Sequence, residues 1–257
     1  MKRLLSGWRA ALLLAVLIGI WELYADLGSA NRRLILPAPH QVAKALYVDR
    51  GLLWSNLVVT GEEVLLGIAV AMLASVGLAV LIHFSDSARR AVYPLLISSQ
   101  AIPIPMIAPV LVLWLGFGLA PKLVVIALVS FFPIVVTTLA GLAAVDPELG
   151  KLMRTFEASR LATFRHVEAP SALPGLLTGA KIAVVVAVIG AYLAELSGAS
   201  SGLGFLYQQA EAQLLMPRAY AAVLILCLFA MSLFALLSLA ERRAIPWAYQ
   251  SRGEPSR

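Results

Sequence analysis

The sequence predicts an all-α integral membrane protein with six transmembrane helices, and three observations lead there. Of 257 residues, 61% are hydrophobic and only 13% charged, whereas soluble domains carry roughly 25% charged residues. The mean hydropathy is +0.89. The charges gather in short clusters between apolar stretches of about 20 residues, the length a helix needs to cross a hydrocarbon core of about 30 Å. A soluble enzyme with this composition would lack the polar surface to remain in water. Disorder requires the opposite composition. The net charge of +6 would suggest a nucleic-acid ligand on a soluble protein. Here the basic clusters read as topology determinants, and no nucleic-acid partner is expected.

The spans fall in order at residues 8–25, 63–83, 91–116, 122–142, 179–197 and 218–240. Breakers and charges separate them: Pro37 and Pro39, then Ser85-Asp86-Ser87-Ala88-Arg89-Arg90, then Gly116-Phe117-Gly118 with Pro121, and the polar stretch 143–178. The first segment follows Met1-Lys2-Arg3, as a signal peptide would. No convincing A-x-A site follows Asp26, so a retained helix is expected. With the N-terminus inside, 14 of the 20 lysines and arginines are cytoplasmic and 6 external, which puts both termini in the cytoplasm. The loop 26–55, with four basic residues, opposes that assignment. The expected organisation is an N-terminal helix with a periplasmic loop over 1–55, a five-helix core over 56–245 and a cytoplasmic tail over 246–257. Cys227 stands alone in an apolar run and reads as a small apolar side chain.

Polar groups at membrane depth are costly unless they face a partner or a cavity. Glu22 sits near a span end and is expected to snorkel. Glu62 and Glu63 open the second span near the outer surface, and Glu195 comes late in the fifth. In the third span, Ser98-Ser99-Gln100-Ala101-Ile102-Pro103-Ile104-Pro105 places two prolines mid-membrane, and Pro133 interrupts the fourth. Each interior proline removes a backbone hydrogen bond and bends the helix. Such kinks either shape the bundle or flank a solute route. On the second reading Gln100, Pro103, Pro105, Pro133 and Glu195 are candidates for a translocation pathway.

Catalysis is not expected. His40, His83 and His166 are each alone in sequence. No H-E-x-x-H, C-x-x-C, G-x-S-x-G or Walker A pattern occurs, and Gly202-Leu203-Gly204 reads as a tight turn. The sequence therefore assigns no catalytic, metal or cofactor residues.

The segment 143–178 is the longest polar stretch between spans. Asp146 can cap a helix beginning at Pro147, with Glu148 in its first turn. Leu149, Leu152, Met153 and Phe156 fall at helical spacing on one face. A second short helix places Leu161, Phe164 and Val167 together and stops before Pro170. Two short amphipathic helices fit either a partner's groove or the lipid interface.

This region and its flanking spans resemble the inner-membrane permease subunits of binding-protein-dependent ABC importers, in the nitrate/sulfonate/taurine branch. The matching stretches are Ile102-Pro103, Ala108-Pro109-Val110-Leu111-Val112-Leu113-Trp114-Leu115-Gly116-Phe117-Gly118, Phe131-Phe132-Pro133-Ile134-Val135-Val136 and Gly141-Leu142 before Val145-Asp146-Pro147-Glu148-Leu149. They continue through Ala158-Ser159-Arg160, Phe164-Arg165, Pro170-Ser171-Ala172-Leu173-Pro174, Gly179, Ile189-Gly190-Ala191, Glu195 and Gly202-Leu203-Gly204. The resemblance implies a type I, MetI-like bundle whose cytoplasmic coupling helices dock on an ATPase. The family signature E-A-A-x3-G-x9-I-x-L-P, with its proline on Pro170, puts the glutamate on Lys151, the alanines on Leu152 and Met153 and the glycine on Glu157. Val167 and Ala169 then take the last apolar positions, so the spacing survives while the acid and the glycine are lost. The resemblance implies ATPase coupling through Lys151, Leu152, Met153, Phe156, Glu157, Ala158, Ser159, Arg160, Phe164, Val167 and Pro170.

It further implies a multi-pass protein of the bacterial inner membrane, surrounded by lipid and paired with a second permease copy. An extracytoplasmic binding protein would supply a small solute, and ATP-Mg would be held in the partner ATPase. The stretch Gly198-Ala199-Ser200-Ser201-Gly202-Leu203-Gly204 and the ending Glu241-Arg242-Arg243-Ala244-Ile245-Pro246-Trp247 most resemble permeases for pyrimidine precursors of thiamine, with sulfonates, taurine or nitrate as alternatives. A stand-alone ion-driven carrier is the rival from another class. It needs polar residues at the centre of several helices, where this chain is almost wholly apolar.

Overall fold

The computed structural model describes residues 2–27 and 35–247. Arg32 and Arg33 of the first loop, and the tail beyond residue 247, lie outside the described residues. Among the described residues the fold is all-helical: α1 (Lys2–Asp26), α2 (Pro39–Val48), α3 (Arg50–Phe84), α4 (Asp86–Ser99), α5 (Ile104–Leu115), α6 (Leu119–Ala143), α7 (Pro147–Thr155), α8 (Arg160–Leu196), α9 (Leu203–Ala212) and α10 (Met216–Ala244). Helices α3, α6, α8 and α10 are each long and apolar enough to cross a membrane, and α4 with α5 forms a fifth, broken crossing. The sixth expected span, 8–25, coincides with α1.

Three boundaries differ from the sequence-based expectation. Residues 39–55 are helical rather than a loop. Their period comes from apolar side chains spaced within a polar segment, with Val42, Ala45 and Leu53 buried, which a count of contiguous apolar residues overlooks. Because α3 starts at Arg50, Glu62 and Glu63 lie well inside it instead of opening it. The third span, expected over 91–116 with a bend at its prolines, is two helices, Asp86–Ser99 and Ile104–Leu115, meeting at 102°. Pro103 is extended at the start of α5, φ −72° and ψ 113°. A proline disfavours helical geometry at the residue before it, here Ile102 before Pro103, whereas Pro105 falls in the first turn of α5 where proline is tolerated.

The chain divides into two compact units. The smaller, residues 1–59 and 200–227, contains α1, α2, the first turns of α3, α9 and the start of α10. Arg218 donates two 2.9 Å hydrogen bonds to the carboxylate of Asp49. Asn56 accepts from the backbone N–H of Gly202 at 2.8 Å. Gly202, with φ 113°, is the N-cap of α9, so the expected tight turn is a helix start.

The larger unit, residues 60–199 and 228–257, has its core where α6 packs on α3, α5 and α8. Ala71, Ile134 and Ala183 meet in one buried cluster, Ile82, Leu96 and Val135 in a second, and Ala108, Val125 and Ala194 in a third. Backbones of α6 and α8 approach so closely that a Cβ on Gly175 would lie 2.5 Å from the carbonyl oxygen of Thr137, and one on Gly179 2.8 Å from that of Pro133. Close helix approach through small residues is how apolar helices gain packing energy in lipid, where hydrophobic burial adds little.

Candidate functional site

The connection between α6 and α8 carries the site that the sequence singles out. Asp146 Oδ1 accepts from the N–H of Glu148 at 2.9 Å, and Pro147 takes the first helical position, as its residue types require. At the other end of α7, the N–H of Ala158 donates to the carbonyl of Met153 and that of Glu157 to Arg154, both at 3.0 Å. These are the paired bonds of a Schellman cap, whose C′ residue is left-handed and usually glycine. Here that residue is Glu157, with φ 54°. It is also the residue aligned with the signature glycine. The left-handed backbone that a glycine there would permit is present although the glycine is not.

Ser159 then caps α8, accepting from the N–H of Ala162 at 3.2 Å. The expected second helix does not stop before Pro170. It runs through a π-helical turn at Phe164–Glu168 into the long part of α8. Proline has no N–H to donate, and the wider turn carries the helix past that missing bond.

The base of this connection is tied to the end of α3. His83 Nε2 and Glu168 Oε2 are 2.8 Å apart. Arg160 reaches the His83 carbonyl at 3.5 Å and lies 4.9 Å over the Phe84 ring, whose centroid is 5.0 Å from that of Phe164. His83 thus has the carboxylate partner that its isolation in sequence concealed. The tip is different. Leu152, Phe156 and Leu161 are exposed, Phe156 at 73%, with Met153 and Val167 half-buried beside them. Lys151 pairs at 2.6 Å with Glu148 on the exposed side of α7. A capped turn that holds aromatic and aliphatic side chains clear of its own core offers an apolar face that suits either a partner's groove or the lipid interface.

The pathway candidates separate into two groups. Gln100, Pro103 and Pro105 sit together at the break between α4 and α5. Pro133 lies inside α6, its carbonyl accepting from the Thr137 hydroxyl at 2.8 Å. Glu195 is wholly buried and accepts from the Thr60 hydroxyl at 2.6 Å.

The sequence did not reveal the ion pairs inside the larger unit. Lys122 Nζ reaches Glu63 Oε1 at 2.5 Å, joining α3 to α6 with both side chains almost fully buried. Lys181 pairs with Glu241 at 2.5 Å, joining α8 to α10. In the smaller unit Glu22 accepts from the His40 N–H at 3.2 Å and pairs with its ring. Glu22, Asp26 and His40 offer ligand atoms within 4.8 Å of one another. The hydrogen bonds account for Glu22 and His40 as a helix-start contact. The only available signal was a charge at mid-span depth, which needs a partner somewhere but does not name it.

Spanning helices, one of them broken at prolines, and buried ion pairs between them define an integral membrane helical bundle with an exposed apolar face at 152–161. Residues 64–246 match the family described as binding-protein-dependent transport system inner membrane component. The chain is 34% identical over 248 residues to the formylaminopyrimidine transport permease protein ThiX of Halalkalibacterium halodurans, covering 96% of this chain and 98% of that one. It is 30% identical over 241 residues to the taurine transport system permease protein TauC of Escherichia coli, covering 91% and 87%. An inward-facing structure of the MetNI methionine ABC transporter superposes with a TM-score of 0.64 at 19% identity, over 77% of this chain and 96% of that one.

The chain therefore belongs to the binding-protein-dependent transport inner-membrane family. It is a multi-pass permease subunit of an ABC importer, a transport component rather than an enzyme, and its partners are a separate ATPase and a solute-binding protein.

Proposed function

We propose that this permease pairs with a second copy of itself and imports a pyrimidine precursor of thiamine, with both termini and the α7 connection on the cytoplasmic side. The observation that carries the docking half of this reading is the exposed face of Leu152, Phe156 and Leu161 on a turn anchored through His83–Glu168. ATP-Mg bound between the partner ATPase subunits closes them. Because the base of the turn is continuous with α8, that motion is passed to the spans as a shift between outward- and inward-open populations. Gln100, Pro103 and Pro105, at the break between α4 and α5, line the solute path. Pro133 and Glu195 act on it through the packing of α3, α6 and α8.

The substrate half rests on the 34% identity to ThiX over nearly the full length of both chains. The 30% identity to TauC favours a sulfonate such as taurine as the second reading. Proteoliposomes containing the permease, its ATPase and its binding protein decide between them. Labelled formylaminopyrimidine accumulates on ATP addition, persists when ion gradients are collapsed and resists excess taurine. Competition by taurine transfers the assignment to sulfonates, and uptake without ATP refutes the importer mechanism. Phe156→Asp or Ala158→Arg abolishes uptake while insertion continues, and unchanged uptake in both discards the docking face.

A further inference from the structure

At the end of the larger unit that carries the α7 connection, α3, α4 and the last turns of α6 line an open-sided cavity of about 680 Å³. Its floor is hydrocarbon, from buried Ile82 and Leu142 with half-buried Val136 and Leu139. Its rim is cationic, from Arg89 and Arg90 on the first turns of α4 with the phenol of Tyr93 one turn on. Among the described residues neither guanidinium has an ion-pair partner. His83 on the same wall is committed to Glu168. Asp86 is the one carboxylate of the described lining, so the rim carries two cations against one anion.

The two halves of this cavity ask for different things. Arginine forks and a phenol match phosphate oxygens. An apolar floor gains nothing from water, which finds no hydrogen-bond partners there. A free phosphate would satisfy the rim and leave the floor empty, and a neutral lipid would fill the floor and leave the guanidiniums unmatched. One chemistry satisfies both: a phosphate diester with no compensating cation, joined to acyl chains. We propose that the cavity binds an anionic glycerophospholipid, phosphate at Arg89 and Arg90 and acyl chain along Val136 and Leu139. The site is independent of which solute is carried. It also adjoins the His83–Glu168 contact, so its occupant braces the α3 end on which the docking turn is anchored.

The assembled complex, with ATPase, is exchanged into nanodiscs of phosphatidylcholine containing a minor fraction of phosphatidylglycerol, and bound lipid is counted by native mass spectrometry. Each basic residue contributes about fivefold at an anionic surface, so the pair favours phosphatidylglycerol by about thirtyfold. R89Q/R90Q removes that preference, R89K/R90K keeps most of it, and Ala140→Trp, which blocks the cavity without touching a charge, lowers the amount of lipid retained. Co-purification of the ATPase reports assembly separately; if R89Q/R90Q fails to assemble, Ala140→Trp decides. Equal retention of both lipids by the wild type overturns the proposal, as does retention unaffected by Ala140→Trp. Displacement by millimolar inorganic phosphate assigns the rim to a free anion. Lipid retained by the permease in a parallel ATPase-free sample but absent from the assembled complex assigns the cavity to a protein partner. Either result refutes a lipid site.

Discussion

Replacing Glu157 with glycine tests whether the docking turn is held in its family conformation against the preference of its own residue. With φ at 54°, a side chain with a Cβ is disfavoured by roughly 1–2 kcal/mol relative to right-handed geometry. Glycine removes that strain but has more freedom to lose on folding, which returns about 0.4–1 kcal/mol. Glu157 is exposed and forms no ion pair among the described residues, so its loss removes no contact. The net expectation is a turn more stable by about 0.5–1 kcal/mol, a factor of about two to five in the opening equilibrium at 1.4 kcal/mol per tenfold. The reporters are the two bonds of the cap, from the N–H groups of Glu157 and Ala158. Hydrogen exchange of the peptide spanning 150–162, measured on the assembled complex, slows by that factor in Glu157→Gly. In Glu157→Val, where a β-branched side chain meets the same φ, it accelerates. Exchange that is unchanged or faster in the glycine variant refutes the strained-cap argument.

Two further outcomes follow from the packing of the larger unit. Lys122→Met leaves the buried Glu63 carboxylate unpaired and destabilises the permease by about 3–5 kcal/mol. Adding Glu63→Leu recovers more than half of that loss in a thermal melt, and strictly additive losses would show that the two side chains do not interact. Gly179→Leu drives a side chain into the Pro133 carbonyl and prevents accumulation of folded protein, whereas Gly150→Ala, where a Cβ meets nothing within 4 Å, accumulates normally. Equal yields of the two variants would contradict the close approach of α6 and α8.

Much of the geometry of the turn after α7 was legible because its signals are local. The Asp146-Pro147 start, the apolar spacing of Leu149, Leu152, Met153 and Phe156, and the register that set Glu157 on a glycine position all act within a few residues of one another. The structure assigns each a matching geometry, including the left-handed backbone. The π-turn before Pro170 was not legible. The proline makes a helix end and a helix irregularity equally reasonable, and only continuity of packing into α8 separates them.

By itself the sequence determined the solvent of this protein, its helical class and the place of the capped turn between α6 and α8, because composition, span length and capping depend on residues adjacent in the chain. Tertiary structure alone decided which charge meets which: Lys122 with Glu63, Lys181 with Glu241, His83 with Glu168, Arg218 with Asp49. Those partners are 59 to 169 residues apart. Where an apolar run carries a charge to membrane depth, as at Glu63, it demands a partner but carries no information about the partner's identity. That choice belongs to the crossing of the helices, which is set by where glycines such as Gly175 and Gly179 let two backbones touch.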